Sequence, residues 1–124
     1  GMELFARKSD EGSAEGLGWI DAEVKRFDFK GEHPGLCIPH VGWNTMIFKK
    51  ESILLKNIDP SQRFYFTDSY HLHCNDPADI VAVTHYGYDF ASAVGHENVY
   101  GIQFHPEKSH RLGLHLVKNF VEYA

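Results

Sequence analysis

The sequence predicts an α/β or α+β domain: a mixed β-sheet closed by a C-terminal helix. Three observations carry this expectation. Short apolar or alternating stretches bounded by Gly, Pro, Asn or Asp recur from residue 20 to residue 104 and read as strands. Beyond them the period changes, and Leu112, Leu116, Val117, Phe120 and Val121 recur at helical spacing. The 124 residues, 43% hydrophobic and 14% aromatic, suit one globular core with no internal repeat and no second domain. Many strands followed by one helix, without regular alternation, favour a mixed sheet over a purely parallel one.

Taken in order, Met2, Leu4 and Phe5 form an apolar cluster that reads as the tail of a helix. Residues 9–18 are rich in Gly, Ser, Asp and Glu and read as a loop. Residues 20–25 alternate strictly, with Ile20, Ala22 and Val24 on one face and Asp21, Glu23 and Lys25 on the other, as in a half-buried strand. Residues 28–35 are a polar turn region. Residues 36–48 form an extended region that Pro39 and Gly42 interrupt. Phe64, Tyr65 and Phe66 open a third strand region, which runs through Tyr70 to Cys74 and ends in the turn Asn75-Asp76-Pro77. Residues 80–84 and 90–94 pair as a hairpin around His85-Tyr86-Gly87-Tyr88-Asp89. Residues 99–104 make a last strand before Pro106. An amphipathic helix fills residues 109–123, with Ser109 as its N-cap.

Composition removes several classes of function. The formal net charge is −5 and the basic residues are scattered, so no stripe is available to neutralise phosphates and nucleic acid is not expected as a partner. No apolar run is long enough to span a bilayer, so no membrane is expected either. No secretory signal opens the chain, and two cysteines, Cys37 and Cys74, make no disulfide framework; both point to a reducing cytoplasm. Nine histidines raise the question of a metal, most sharply at His71 and His73 beside Cys74. Alternation on a strand puts the two imidazoles on one face. No spacing matches a structural zinc pattern, however, so ordinary histidines and no metal are expected.

The sharpest chemical feature is the run Gly101-Ile102-Gln103-Phe104-His105-Pro106-Glu107-Lys108-Ser109. An apolar strand delivers His105 and Glu107 at its end. At i and i+2 they share a face, and Pro106 fixes the backbone as the chain turns away. A carboxylate beside an imidazole sets its tautomer and stabilises the imidazolium, which is half of a nucleophile–His–acid relay.

This run, with the helix that follows, resembles the C-terminal signature of class I glutamine amidotransferases, in which a Cys-His-Glu triad hydrolyses glutamine. His105 and Glu107 match the His and Glu. Pro39-His40-Val41-Gly42-Trp43-Asn44 is similar to the PHMGWN motif of the glutaminase subunit of imidazole glycerol phosphate synthase, with Val41 in place of Met. Phe66-Thr67-Asp68-Ser69-Tyr70 is similar to that family's strand ending in H-S-Y, with Asp68 in place of His. The start, Gly1-Met2-Glu3-Leu4, is similar to the segment just after the cysteine in the elbow G-x-C-L-G-M-Q-L, with Glu3 at the position of the glutamine that contacts the substrate amide. An amide can donate a hydrogen bond there and a carboxylate cannot.

The resemblance implies a flavodoxin-like α/β fold and residues 1–124 as a partial domain, without the N-terminal strands and nucleophile elbow. It implies His105 and Glu107 as catalytic residues; Glu3, Ser69 and Tyr70 as contacts to glutamine; and Gly42, Trp43 and Asn44 at the interface with a cyclase-type synthase barrel. No cofactor is implied. In the parent, a cysteine thiolate would attack the glutamine amide, and ammonia would pass to the barrel for histidine biosynthesis. Three alternatives stay open: a partner that amidates a surface-polysaccharide sugar, a non-catalytic partner-binding module, and another amidotransferase, as in anthranilate or GMP synthesis, which is not expected to carry the Trp43 motif. A sheet lacking its first strands exposes an edge, so a homo-oligomer is expected.

Overall fold

The computed structural model describes residues 2, 6, 8–9, 16–32 and 35–123. Among these, nine strands precede one helix: β1 (Lys8–Ser9), β2 (Ala22–Arg26), β3 (His40–Thr45), β4 (Ile47–Phe48), β5 (Arg63–Asp68), β6 (Tyr70–Cys74), β7 (Ile80–Tyr86), β8 (Tyr88–His96), β9 (Val99–Ile102) and α1 (His110–Tyr123). Short 3-10 turns occupy Ile53–Leu55, Pro77–Asp79 and Pro106–Lys108. The main sheet has the order β1-β2-β6-β8-β7-β4, with β9 paired to β8; β3 and β5 form a separate two-stranded sheet. The β1–β2 pair is parallel and the others are antiparallel. The sheet is therefore mixed and followed by a terminal helix, as the sequence predicts.

The single strand region predicted from Phe64 to Cys74 divides at Ser69, with β5 in the small sheet and β6 in the main one. At the break the Ser69 carbonyl accepts from the Phe27 amide at 3.0 Å instead of from a ladder partner. The extended region 36–48 likewise divides between sheets, but at Met46 and not at Gly42. Gly42 lies inside β3 with φ +135°, a backbone conformation that side chains disfavour, although a Cβ there would meet nothing within 4 Å. The hairpin strands run further than predicted, to the opposed pair Tyr86 and Tyr88 around Gly87. Strand β9 stops at Ile102, before the predicted end: Gln103 still donates to Ser92 of β8, but the His105 amide has turned to the Tyr65 carbonyl of β5. The short parallel strand β1 falls within and beside the region read as loop. Of the predicted N-terminal helix tail, Leu4 and Phe5 lie outside the described residues, while Met2 is buried against Gly101.

Two apolar clusters hold the domain. The larger joins the inner faces of both sheets to the helix through Phe27, Phe64, Phe66, Phe90, Phe104 and Leu116. Each such side chain stabilises the fold by roughly 1.5–3 kcal/mol on burial. The smaller cluster gathers Met2, Ile20, Val24, Leu72 and Val94. Helix α1 packs differently from its apolar pattern: Leu116 is buried, whereas Val117, Phe120 and Val121 are largely exposed. Two small or polar residues set its seat. Gly113 comes so close to the Pro106 carbonyl that an added Cβ would lie 1.8 Å from that oxygen. The buried Asn119 side-chain amide donates to the Leu54 and Lys56 carbonyls at 3.0 and 2.8 Å. No helix among the described residues is long and apolar enough to cross a membrane.

The larger cluster also encloses a polar pair. His40 and Asp68 stand directly opposite each other across β3 and β5, both buried, with His40 Nδ1 3.5 Å from an Asp68 oxygen. That separation is too long for a well-formed hydrogen bond, and both Asp68 oxygens lack any other partner among the described residues. Burial pushes the Asp68 carboxyl above its ordinary range, against the opposing pull of His40, His71 and His105. The folded state thus holds the Asp68 proton more tightly than the unfolded chain. Its contribution is fully present below the unfolded carboxylate value and is lost as pH rises towards the folded one. Asp68→Asn removes that loss. Urea denaturation is expected to find the variant more stable at pH 7, by on the order of 1 kcal/mol, with the gain fading towards about pH 4. A variant that is less stable at pH 7 would show the carboxylate to be net stabilising.

Candidate active site

His105 follows β9 at the start of the Pro106–Lys108 turn, with extended backbone (φ −96°, ψ 103°). The sequence pattern puts His105 and Glu107 on one strand face. Instead the chain has left the sheet, and Pro106 opens a 3-10 turn that brings Glu107 back beneath the ring. The Glu107 carboxylate lies 2.8 Å from His105 Nδ1, with His105 the less exposed of the two side chains. The Glu107 backbone amide and then the His105 ring hold this carboxyl below its usual range. With Nδ1–H donated to Glu107, Nε2 is the nitrogen left to exchange protons with a reacting group.

The turn is fixed from two sides. The His105 amide donates to the Tyr65 carbonyl of β5 at 2.9 Å. The Ser109 hydroxyl donates to the His105 carbonyl at 2.7 Å and accepts from the Tyr65 amide at 3.1 Å. Ser109, read from sequence as a helix cap, therefore ties β5 to the histidine, and α1 begins one residue later. Gly113 allows the helix to press against the same turn from behind.

The other residues singled out in the sequence divide into groups. Ser69 follows directly on β5, and its carbonyl is taken by Phe27; Tyr70 opens β6 opposite Arg26. Glu3 lies outside the described residues. Trp43 projects from the outer face of β3, 44% exposed, with its ring edge-on to Tyr65 and stacked on His110. Lys108 Nζ stands 5.8 Å from the Tyr65 ring centroid, so aromatic and basic groups cluster beside the His105 turn. Asn44 faces the other way. Its amide nitrogen donates to the His85 carbonyl at 3.0 Å and contacts His40 Nε2 at 3.5 Å, and its oxygen accepts from the Thr45 amide at 2.8 Å. Gly42, Trp43 and Asn44 thus share a strand but not a face.

Two further residues shape the site. Tyr65 gives no motif signal, and its part becomes visible only through its backbone bonds. His40 belongs to the Pro39–Asn44 motif, but its pairing with Asp68 depends on the β3–β5 register, which two separated strands do not reveal in sequence. His71, one of the pair weighed for a metal, uses both ring nitrogens internally: Nδ1 to the Leu72 carbonyl at 3.1 Å and Nε2 to the Tyr88 hydroxyl at 2.7 Å. Burial lowers its pKa. Among the described residues no three His, Cys, Asp or Glu side chains group as a metal site. Neither cysteine makes a hydrogen bond to His105 or Glu107 among the described residues. Cys74 is buried, and burial together with Asp79, Asp21 and Asp76 pushes its thiol up to about 11. Cys37 is exposed, its amide and carbonyl both bonded to the Tyr86 hydroxyl on β7.

Comparison with known proteins places this geometry in a family. The chain is 50% identical over 120 residues to the imidazole glycerol phosphate synthase subunit HisH of Leptospira borgpetersenii, an alignment covering 97% of this chain and 59% of that protein. It is 42% identical to the subunit of the same name from Leptospira interrogans, with the same coverage of both chains. To that from Sulfurimonas denitrificans it is 47% identical over 124 residues, 99% of this chain and 59% of the relative. The chain thus spans about three-fifths of the length of these relatives. The family described as glutamine amidotransferase class-I matches residues 32–123, a span that includes β3, the His105 turn and α1. With its mixed sheet, its terminal helix and that match over most of its length, the chain belongs to the class I glutamine amidotransferases.

Proposed function

We propose that this chain is the His–Glu half of a glutaminase whose parent releases ammonia from glutamine and passes it to a cyclase-type synthase subunit in histidine biosynthesis. The observation that carries the reading is the His105 Nδ1–Glu107 contact at 2.8 Å, on a turn pinned to β5. Such a pair makes His105 Nε2 a general acid for the departing ammonia and then a general base for water. Glu107 orients the ring and stabilises the imidazolium. The thiolate that forms the γ-glutamyl thioester comes from outside these 124 residues, since neither Cys37 nor Cys74 is suited to the task. Ser69 and Tyr70 contribute main-chain contacts to the glutamine α-amino and carboxylate groups, and Glu3 occupies the sequence position of the residue that contacts the side-chain amide. The setting is a reducing cytoplasm, where both thiols stay free.

The partner meets the outer face of β3. Trp43, Tyr65, Lys108 and His110 form a half-exposed aromatic and basic surface next to the catalytic turn. Aromatic side chains with one buried edge commonly anchor interfaces. The names of the relatives favour a synthase partner over a sugar-amidating one.

Two outcomes are expected. The 124-residue chain incubated with glutamine releases no ammonia, with or without a cyclase subunit. Release that disappears on Cys37→Ser or Cys74→Ser would overturn the assignment of the nucleophile. In the full-length parent, Trp43→Ala weakens association with the cyclase by about 2 kcal/mol or more, read by titration calorimetry. Unchanged affinity in a folded variant would return Trp43 to surface packing.

A further inference from the structure

The buried carboxylate of Asp68 needs a reason. Among the described residues both its oxygens are without a hydrogen-bond partner, and a buried charge left in that condition disfavours folding. What it faces is informative. The His40 ring lies between Tyr86, at a centroid distance of 4.0 Å, and Phe66, at 5.0 Å, stacked on each within about 25° of parallel. That sandwich holds the ring plane, so its two nitrogens point in set directions: Nδ1 to Asp68 at 3.5 Å and Nε2 to the Asn44 amide nitrogen at 3.5 Å.

The proton on this ring follows from its neighbours. The Asn44 amide is oriented at both ends, because its oxygen accepts from the Thr45 amide and its nitrogen donates to the His85 carbonyl. The group that meets His40 Nε2 is therefore an N–H donor. An N–H donor needs a bare nitrogen opposite, which leaves the proton of His40 on Nδ1, facing Asp68. A doubly protonated ring would set N–H against N–H at Asn44.

We infer that Asp68 is a positioning residue: its carboxylate, facing Nδ1 at 3.5 Å without a formed hydrogen bond, favours by its charge the neutral Nδ1–H tautomer of His40, which leaves a bare Nε2 for the Asn44 amide that joins β3 to β7. The contacts run from Asp68 at the end of β5, through His40 and Asn44 on β3 at 3.5 Å each, to the His85 carbonyl on β7, where the Asn44 amide makes a full hydrogen bond at 3.0 Å. Its consequence, which rests on the proposed function, is that Trp43 reaches the partner from a strand fixed on its inner side. Position 68 also adjoins Ser69, so the same carboxylate ties the glutamine-contacting segment to the partner-facing one.

The test is ring nitrogen chemistry in the 124-residue chain, read by long-range ¹H–¹⁵N correlation at pH 7. In the unsubstituted protein His40 is expected as the neutral Nδ1–H form. Asp68→Asn, whose oxygen still accepts, should retain it. Asp68→Leu should shift His40 to the Nε2–H form and displace the Asn44 side-chain amide signals. An unsubstituted protein with His40 protonated on Nε2 or on both nitrogens overturns the inference, and that arm requires no variant to fold. A folded Asp68→Leu with His40 and Asn44 unchanged overturns it as well. None of these readouts involves the partner. The expected tautomer beside a Trp43→Ala variant of full affinity would therefore support the inference while the proposed interface fell.

Discussion

The exchange of bonds between Tyr65 and the segment from His105 to Ser109 is the constraint on which the site depends. The Tyr65 carbonyl takes the His105 amide, and the Ser109 hydroxyl bridges the Tyr65 amide to the His105 carbonyl. These three bonds replace a sheet ladder at the point where β9 has ended. They tie an irregular turn to β5 while Glu107 curls under the imidazole. They also satisfy backbone groups that a partly buried turn would otherwise leave unpaired. The aromatic ring of the same Tyr65 meets Trp43 on the outside, so one residue borders both the His105 turn and the exposed surface.

Behind this tie, the phenylalanine-rich core positions the small sheet against the main one. Phe64 and Phe66 of β5 contact Phe104, which immediately precedes His105. Apolar packing thus brings the histidine to β5, and the hydrogen bonds orient it there. The His40–Asp68 pair sits in the same core at an energetic disadvantage, which points to a role in orientation and not in stability.

Much of this was legible in the sequence, for identifiable reasons. The alternation over residues 20–25, the hairpin around Gly87 and the helical period after Ser109 are local signals, and each marks a real element. The partition of strands between two sheets was not legible, because Ser69 and Met46 look like ordinary strand residues, and the break at Ser69 is marked by a bond to the distant Phe27. The helix shows the limit of pattern reading most clearly. Val117, Phe120 and Val121 fit the period yet stay exposed, while Gly113 and Asn119 make the close contacts. At the site, the motif letters His105 and Glu107 could be read directly. The Ser109 tie and the His40–Asp68 pairing depend on register across separated strands, which no local pattern encodes.

The most direct measurement of whether β5 holds the His105 turn is amide hydrogen exchange at Tyr65 and His105, in the unsubstituted chain and in Ser109→Ala. If the turn is held as described, both amides exchange in the slow class of the central strands, and loss of the Ser109 hydroxyl accelerates Tyr65 first. Rapid exchange of both amides in the unsubstituted chain, at rates typical of exposed loops, would contradict the account.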